Sequence, residues 1–270
     1  MKIQILNFGF LKVAASKMIK NVAPDKVNTH YTVDSDGFMK LAMQSLLIAH
    51  DGRLVLIDPG CGDFLPKRIL DDYGLEIPLP PEELLKRAGY EESDITDVVF
   101  THLHFDHGTA AFKRVPGKIM KRYENARYHL SEAHFKHASN PEPEEAHNFF
   151  TFFLRFLDKK HWLEEWDCDW LKFDSFDGHT GGMQVPTISG KNADLVFATD
   201  LIPLKILMEE DAFCGYDMQK ELLVKEKKEF LKALTKPTFL VLYHEIDDCL
   251  IAFDDKGFKA SSIDYLKEFN

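Results

Sequence analysis

Four side chains that commonly bind metal ions stand within six positions of the sequence. His102, His104, Asp106 and His107 form the pattern H-x-H-x-D-H, and Gly108 follows them. Imidazole nitrogens and carboxylate oxygens are ligands of zinc, and they also suit manganese and iron. A surface cluster of polar residues would not need this density of ligands, so the spacing indicates a metal site.

The elements around this cluster must place it at the end of a strand. Residues 97–100 are a short apolar run that predicts a buried strand directly before the cluster. Side chains of a strand alternate between two faces, so His102 and His104 point the same way if the strand continues, and they can share one metal ion. Asp106 and His107 then fall on the following turn, where a second ion can be held.

Four further stretches complete a pattern that is known from one family. They are residues 54–60 with Asp58, the turn 177–182 with His179, the run 194–200 ending in Asp200, and the run 239–244 ending in His244. With the H-x-H-x-D-H cluster, they resemble the motifs of the metallo-β-lactamase superfamily over roughly residues 41–245. The resemblance implies an α+β fold, a four-layer αββα sandwich, with a mono- or dinuclear metal site at one end of its two sheets.

The resemblance also implies a role for each of these residues. The first metal would be held by His102, His104 and His179, the second by Asp106, His107 and His244, with Asp200 bridging the two. Asp58 would orient a metal-binding histidine from outside the ligand set, and Asp106 would also pass a proton to the leaving group. The implied cofactors are two divalent metal ions, zinc in the first place and manganese or iron as alternatives.

The order of the motifs is similar to that of the group containing acyl-homoserine lactonases and organophosphate-ester hydrolases. We therefore expect a dinuclear metal-dependent hydrolase whose metal-bridging hydroxide attacks an ester, lactone or phosphoester. Alternatives are a glyoxalase II-like thioesterase, a phosphodiesterase or nuclease, and lastly a non-catalytic metal-binding protein. Quorum-quenching lactonases place a substrate-binding tyrosine three residues after the bridging aspartate, where this sequence has Pro203. Tyr216 and Tyr243 are candidate replacements.

Aromatic residues are concentrated in residues 140–170. Their spacing predicts a helical insertion within a single domain that spans residues 1–270, and so many aromatic side chains must be buried against something. Three interpretations stay open: a lid or pocket wall for an apolar substrate, a contact between two copies in a homodimer, or an outer helix of the sandwich.

Composition limits the partners and the location. The chain has 270 residues and a formal net charge of −11, which disfavours nucleic acid as a partner. No apolar stretch approaches the length of a membrane span, and the alternating N-terminus lacks the apolar core of a signal peptide. The four cysteines form no C-x-x-C pair, which is typical of reduced thiols. We expect a cytoplasmic protein that acts on a small-molecule substrate.

Three local patterns predict particular elements. Asp51-Gly52 between two apolar runs predicts a hairpin over residues 41–57. Residues 80–89 predict a helix, because acidic residues precede basic ones and a glycine follows. Residues 219–234 predict a charged helix that packs through one apolar stripe.

Overall fold

Two β-sheets lie at the centre of the fold. The computed structural model describes residues 1–62, 64–157, 161–234, 236–254 and 257–261. The strands are β1 (Lys2–Ala14), β2 (Phe38–His50), β3 (Arg53–Ile57), β4 (Asp97–Val99), β5 (Phe112–Val115), β6 (Lys118–Lys121), β7 (Arg127–His129), β8 (Leu171–Phe176), β9 (Met183–Ser189), β10 (Asp194–Thr199), β11 (Thr238–Leu242), β12 (Leu250–Asp254) and β13 (Gly257–Ala260).

Helices and short helical turns connect these strands. The α-helices are α1 (Ala15–Met18), α2 (Pro24–His30), α3 (Lys67–Asp72), α4 (Pro81–Ala88), α5 (Phe105–Gly108), α6 (Glu132–Ser139) and α7 (Lys220–Ala233). Short 3₁₀ helices span Glu92–Asp94, Thr109–Ala111, Ala146–Asn148, Thr151–Phe156, Leu163–Glu165 and Lys205–Met208. Within the described parts of the chain, no helix is both long and apolar enough to cross a membrane.

The two sheets differ in strand order but share a parallel portion. The first sheet has the order β1-β2-β3-β4-β7, and the second has the order β13-β12-β11-β10-β9-β8. β3, β4 and β7 run parallel to one another, as do β10 and β11. Parallel neighbours end at the same edge of a sheet, so residues that follow β3, β4, β10 and β11 are brought to common edges.

The local sequence predictions for these elements are confirmed. The hairpin forms from β2 and β3, and its turn residues Asp51 and Gly52 have φ angles of +47° and +71°, as a tight two-residue turn requires. The predicted helix is α4, which ends at Gly89 with a left-handed φ of +94°. The predicted charged helix is α7.

Alternating side chains of β10 show how the layers pack. Leu195 and Phe197 belong to the core that lies between the sheets, whereas Val196 and Ala198 belong to a second core. That second core also contains Leu223 of α7. One face of the strand therefore packs on the other sheet and the opposite face packs on a helix, as the predicted αββα arrangement requires.

A buried lysine of α7 holds the loop that follows β10. Lys227 is 1% exposed, and its ammonium donates hydrogen bonds to the backbone carbonyls of Leu207, Glu209 and Ala212. Three carbonyl acceptors satisfy the three N–H donors of an ammonium group. These hydrogen bonds hold the loop that follows β10 against α7.

The aromatic segment, which the spacing predicts as a helical insertion, contains short 3₁₀ helices. The 3₁₀ helix Thr151–Phe156 has three residues per turn, so Phe150, Phe153 and Phe156 share one face. These side chains pack on the core between the sheets, and Phe112 stacks on Phe153 with ring centroids 4.4 Å apart. The interpretation of residues 1–270 as a single domain stays a prediction.

Candidate metal centre

The ends of strands from both sheets deliver most of the predicted ligands. His102 follows β4 in the first sheet, Asp200 directly follows β10 in the second, and His244 lies two residues beyond β11. His179 lies in the connection between β8 and β9. Two backbone hydrogen bonds, Ala42 N–H to His244 O at 3.1 Å and Gln184 N–H to Thr101 O at 3.0 Å, join the sheets at this end.

A single helical turn carries the rest of the H-x-H-x-D-H cluster. His104 is the residue before α5, and Asp106 and His107 lie within that helix. The backbone N–H of His107 donates to the carbonyl of His104 at 3.1 Å, which closes the turn. The turn brings both His104 and His107 next to His102, whose ring centroid lies 4.6 Å and 4.0 Å from theirs.

One group of side chains forms a first possible metal site. His179 Nε2 lies 3.1 Å from Asp200 Oδ2 and 3.2 Å from His104 Nδ1. His102 Nε2 lies 3.8 Å from the same Asp200 oxygen. One ligand-type atom from each of these four residues lies within 4.8 Å of the others. All four residues are buried.

A second group lies on the other side of Asp200. Asp106 Oδ2 is 3.9 Å from His107 Nε2 and 3.7 Å from His244 Nε2. Asp200 reaches this group as well, with Oδ2 3.4 Å from His107 Nε2 and Oδ1 3.7 Å from His244 Nε2. The structure therefore brings together all seven predicted ligands, in the two groups that the resemblance implies, with Asp200 between them. Their roles as ligands stay a prediction.

Unpaired buried atoms show that this cluster suits a cation. His102 Nε2, His107 Nε2 and Asp200 Oδ1 are fully buried and have no hydrogen-bond partner among the described residues. Each buried polar atom without a partner costs about 1–3 kcal/mol. Imidazole nitrogens and carboxylate oxygens also form a donor set that zinc accepts. Divalent cations fit these two groups of side chains.

Buried charges in the cluster compensate for one another. Burial lowers the pKa of His102 well below its ordinary value, and neighbouring histidines add to this effect. Burial acts in the same direction on His107, but the carboxylates of Asp200 and Asp106 outweigh it and raise its pKa. Burial disfavours the charge of Asp200, but His107 and His179 outweigh it and lower its pKa. A bound cation would replace these protons, so metal binding should release protons.

Asp58 lies beneath the site, at the end of β3. Its Oδ2 accepts a hydrogen bond from His107 Nδ1 at 2.9 Å, and its Oδ1 accepts one from the backbone N–H of Thr101 at 2.8 Å. The Thr101 hydroxyl donates to Asp58 and lies 3.1 Å from His102 Nδ1 and 3.0 Å from the Thr199 hydroxyl. Asp58 thus contacts a ligand candidate from outside, as its predicted role requires.

Backbone strain is stored at the same place. Asp58 and Thr199 have left-handed φ angles of +47° and +41°. Non-glycine residues in this region cost roughly 1–3 kcal/mol each and persist where the surrounding structure enforces them. Here the strain turns the chain at the ends of β3 and β10, so that Asp58 and Asp200 reach the cluster.

Two carboxylates that sequence analysis did not identify accept hydrogen bonds from two other histidines of the cluster. Asp217 Oδ1 accepts a hydrogen bond from His179 Nδ1 at 2.8 Å, and Glu145 Oε1 accepts one from His104 Nε2 at 2.9 Å. Such partners fix the tautomer and orientation of a histidine ligand. Neither carboxylate lies near a recognisable motif, and no local spacing could have indicated it.

A cleft opens over the cluster. Its walls are mostly apolar and come from β1, β2, α1, α5 and the loops after α3 and β10. The lining residues are Leu11, Val13, Met18, Leu41, Tyr73, His104, Phe105, Asp106, Asn148, His179, Asp200, Cys214, Tyr216 and His244. An apolar cleft with a few polar groups at its floor is typical of a small-molecule site.

Only one of the two candidate tyrosines borders this cleft. Tyr216 lines it, whereas the Tyr243 hydroxyl donates to the backbone carbonyl of Asp106 at 2.7 Å and its ring stacks on His107. Tyr243 therefore supports the cluster from behind. From the aromatic segment, Asn148 lines this cleft. Other residues of the segment line a separate apolar cavity next to His104.

Sequence comparison places this site in a known family. The model of the metallo-beta-lactamase superfamily matches residues 44–244. The chain therefore belongs to this superfamily, and both the predicted family and the predicted α+β sandwich are confirmed.

Two curated relatives are similar over part of the chain. An N-acyl homoserine lactonase of Bacillus thuringiensis is 36% identical over 73 residues, which cover 26% of this chain and 26% of that protein. An N-acyl homoserine lactonase of Bacillus cereus is 27% identical over 124 residues, which cover 38% of this chain and 47% of that protein. The chain thus spans between a quarter and half of the length of these relatives.

Solved structures share the fold over nearly the whole chain. A Staphylococcus aureus protein described as a probable metal-dependent hydrolase has a TM-score of 0.85 and 20% identity, and the match covers 94% of this chain and 93% of that one. AidC, a dizinc quorum-quenching lactonase, has a TM-score of 0.75 and 21% identity, with 97% and 94% covered.

Proposed function

We propose that this protein is a metal-dependent hydrolase of neutral esters, with lactones as the leading substrate class. The observation that carries the proposal is the pair of ligand groups that share Asp200 at the floor of an apolar cleft. The similarity to proteins named N-acyl homoserine lactonase supports the choice of lactones.

In this proposal two divalent cations, zinc in the first place, would occupy the two groups. His102, His104 and His179 would hold the first, Asp106, His107 and His244 would hold the second, and Asp200 would be shared by both. Cations in such a pair act as Lewis acids that acidify water and polarise a carbonyl oxygen.

The protein's own side chains have three further tasks. Asp58, Glu145 and Asp217 each accept a hydrogen bond from a different histidine and so hold the ligand set in one orientation. The apolar cleft walls exclude water from the reacting bond. Asp106 lies at the junction of cleft and cluster, with its side chain 13% exposed, and we assign it the transfer of a proton to the leaving oxygen.

The charge of the cleft favours a neutral substrate. No lysine or arginine is present among the described residues that line it. Apart from the proposed metal ions, an anionic phosphodiester or the carboxylates of a glutathione thioester would meet no cationic side chain among the described lining residues, and a charge that is buried away from the ions without a partner is costly. Neutral lactones, esters and phosphotriesters carry no such cost, so the nuclease and thioesterase alternatives rank lower.

Turnover of a substrate panel by zinc-loaded protein tests the proposal. The panel contains γ- and δ-lactones, a phosphotriester, a phosphodiester and a glutathione thioester, and Asp200→Asn is the control. We expect turnover of a lactone or triester that Asp200→Asn abolishes. Turnover of the phosphodiester alone would replace the proposal with a nuclease function, and turnover of the thioester alone would replace it with a thioesterase.

The remaining predictions about cellular context accompany this proposal. We propose a cytoplasmic protein that acts on a small-molecule substrate without a nucleic-acid or membrane partner. The packing of Phe150, Phe153 and Phe156 against the core favours a structural role for the aromatic segment over a contact between two copies.

A further inference from the structure

Two tyrosines from distant parts of the chain border the same cleft. Tyr73 stands at the end of α3, and Tyr216 lies in the loop between β10 and α7. Both line the cleft together with Asp106 and Asp200. Among the described residues, neither phenol hydroxyl has a hydrogen-bond partner, in contrast to the hydroxyl of Tyr243, which donates to a backbone carbonyl. A partly buried phenol usually finds a partner, so these two hydroxyls are available to a ligand.

Both rings are held in place by packing. The Tyr73 ring lies against Phe105, with centroids 4.8 Å apart, and the Tyr73 carbonyl accepts a hydrogen bond from the Lys12 backbone at 2.7 Å. The Tyr216 ring lies under the Lys17 ammonium, 4.2 Å from the ring centroid. Rigid donors lose little conformational freedom when a ligand binds.

The loop that carries Tyr216 is tied to the candidate metal centre. The next residue, Asp217, accepts hydrogen bonds from His179 Nδ1 and from the backbone N–H of Cys214, both at 2.8 Å. The position of Tyr216 is therefore set by the same carboxylate that orients a ligand candidate.

Both tyrosines are hydrogen-bond donors at neutral pH. Burial raises the pKa of Tyr73, and the nearby Asp106 carboxylate raises it further. Burial is also the largest cause of the raised pKa of Tyr216, followed by the neighbouring Tyr73. Each phenol thus keeps its proton, and both residues line the cleft that Asp106 and Asp200 also line.

We propose that Tyr73 and Tyr216 form a paired donor site for the carbonyl or phosphoryl oxygen of the substrate that gains charge during hydrolysis. This inference rests on the proposed hydrolase function and specifies its substrate as a neutral ester or lactone with an accessible acceptor oxygen. The pair would supply donors from two separate places in the chain, the end of α3 and the loop before α7. Donors aimed at developing negative charge accelerate acyl transfer.

Three phenylalanine substitutions test the pair. Tyr73→Phe and Tyr216→Phe remove one hydroxyl each and keep the ring, and Tyr90→Phe is the matched control, because its ring packs under Lys2 outside the cleft. With the best lactone of the panel, we expect each cleft variant to lose about tenfold in kcat/KM and the double variant about a hundredfold or more. Tyr90→Phe should stay within twofold of wild type.

Two further readouts separate substrate binding from indirect effects. The zinc content should remain at the wild-type value in every variant, because no hydroxyl in question belongs to the ligand groups. Binding of the corresponding lactam, which keeps the carbonyl oxygen but resists hydrolysis, should weaken about tenfold in each cleft variant when it is measured by calorimetry.

The outcomes distinguish this inference from the proposed function. An active wild type whose Tyr73→Phe and Tyr216→Phe variants both match Tyr90→Phe in kcat/KM overturns the paired donor site and leaves the hydrolase function standing. A zinc-loaded wild type that neither hydrolyses the panel nor binds the lactam overturns both.

Discussion

Replacing Glu145 is the most direct test of how the candidate metal centre is held. Its carboxylate is buried, Oε1 accepts a hydrogen bond from His104 Nε2 at 2.9 Å, and Oε2 accepts one from His137 Nε2 at 2.7 Å. The first bond keeps the proton of His104 on Nε2, so the lone pair of Nδ1 is directed towards His179 and the shared site.

The expected magnitude follows from these two bonds. In Glu145→Gln, the amide oxygen can still accept from His104, and the amide nitrogen faces His137. The His137 ring is 23% exposed and can change tautomer at little cost. The loss is then the charge-assisted part of one hydrogen bond, about 1–1.5 kcal/mol, or roughly tenfold in zinc affinity. Glu145→Ala removes the acceptor altogether, and we expect a loss of about a hundredfold.

The assay is competition for zinc with a chromophoric chelator of known affinity. Glu144→Gln is the matched control, because Glu144 precedes Glu145 in the same segment and is exposed. Circular dichroism of each variant verifies that the fold is intact. If Glu145→Gln and Glu144→Gln bind zinc equally well, Glu145 does not orient His104 in the way argued above.

Other parts of the molecule give further predictions. Lys227→Met should lower the free energy of unfolding at pH 7 by about 2–4 kcal/mol, because three buried carbonyls lose their donor; urea titration checks this, and Lys225→Met on the exposed side of α7 should be neutral. Burial lowers the pKa of Lys227 from 10.5 to about 8, so between these pH values the unfolded chain holds a proton that the folded chain lacks. The free energy of unfolding should therefore rise with pH between about 8 and 9.5, by up to about 1.4 kcal/mol per unit, and a wild-type slope equal to that of Lys227→Met would contradict this. Gly178→Ala should destabilise by about 1–3 kcal/mol, because its Cβ would lie 2.4 Å from Leu223 Cα; an unchanged thermal midpoint would show that α7 can move away. Zinc at a thousand times its Kd should stabilise the wild type by about 4 kcal/mol per site against unfolding, and Asp200→Asn should lose most of this effect in the same calorimetric scan.

The local parts of the fold and of the site could be predicted from the sequence. The turn at Asp51 and Gly52 depends on left-handed φ angles that these residue types tolerate, so adjacent residues were enough to predict it. The H-x-H-x-D-H cluster is local in the same sense, because one strand end and one helical turn hold His102 and His107. The aromatic segment was harder, since its periodicity did not distinguish an α-helix from 3₁₀ turns packed on a sheet.

What the sequence by itself determined is the chemistry that the site can offer. Residue types and chain order indicated the candidate ligand set and the family, because imidazole and carboxylate groups at that spacing have few other uses. Only the tertiary structure decided which carboxylates contact the candidate ligands and which tyrosines line the cleft. Glu145 lies 41 positions from His104, and Asp217 lies 38 positions from His179. No local rule links such positions, because their contact depends on how two sheets and the loops between them pack, and that packing is a property of the whole chain.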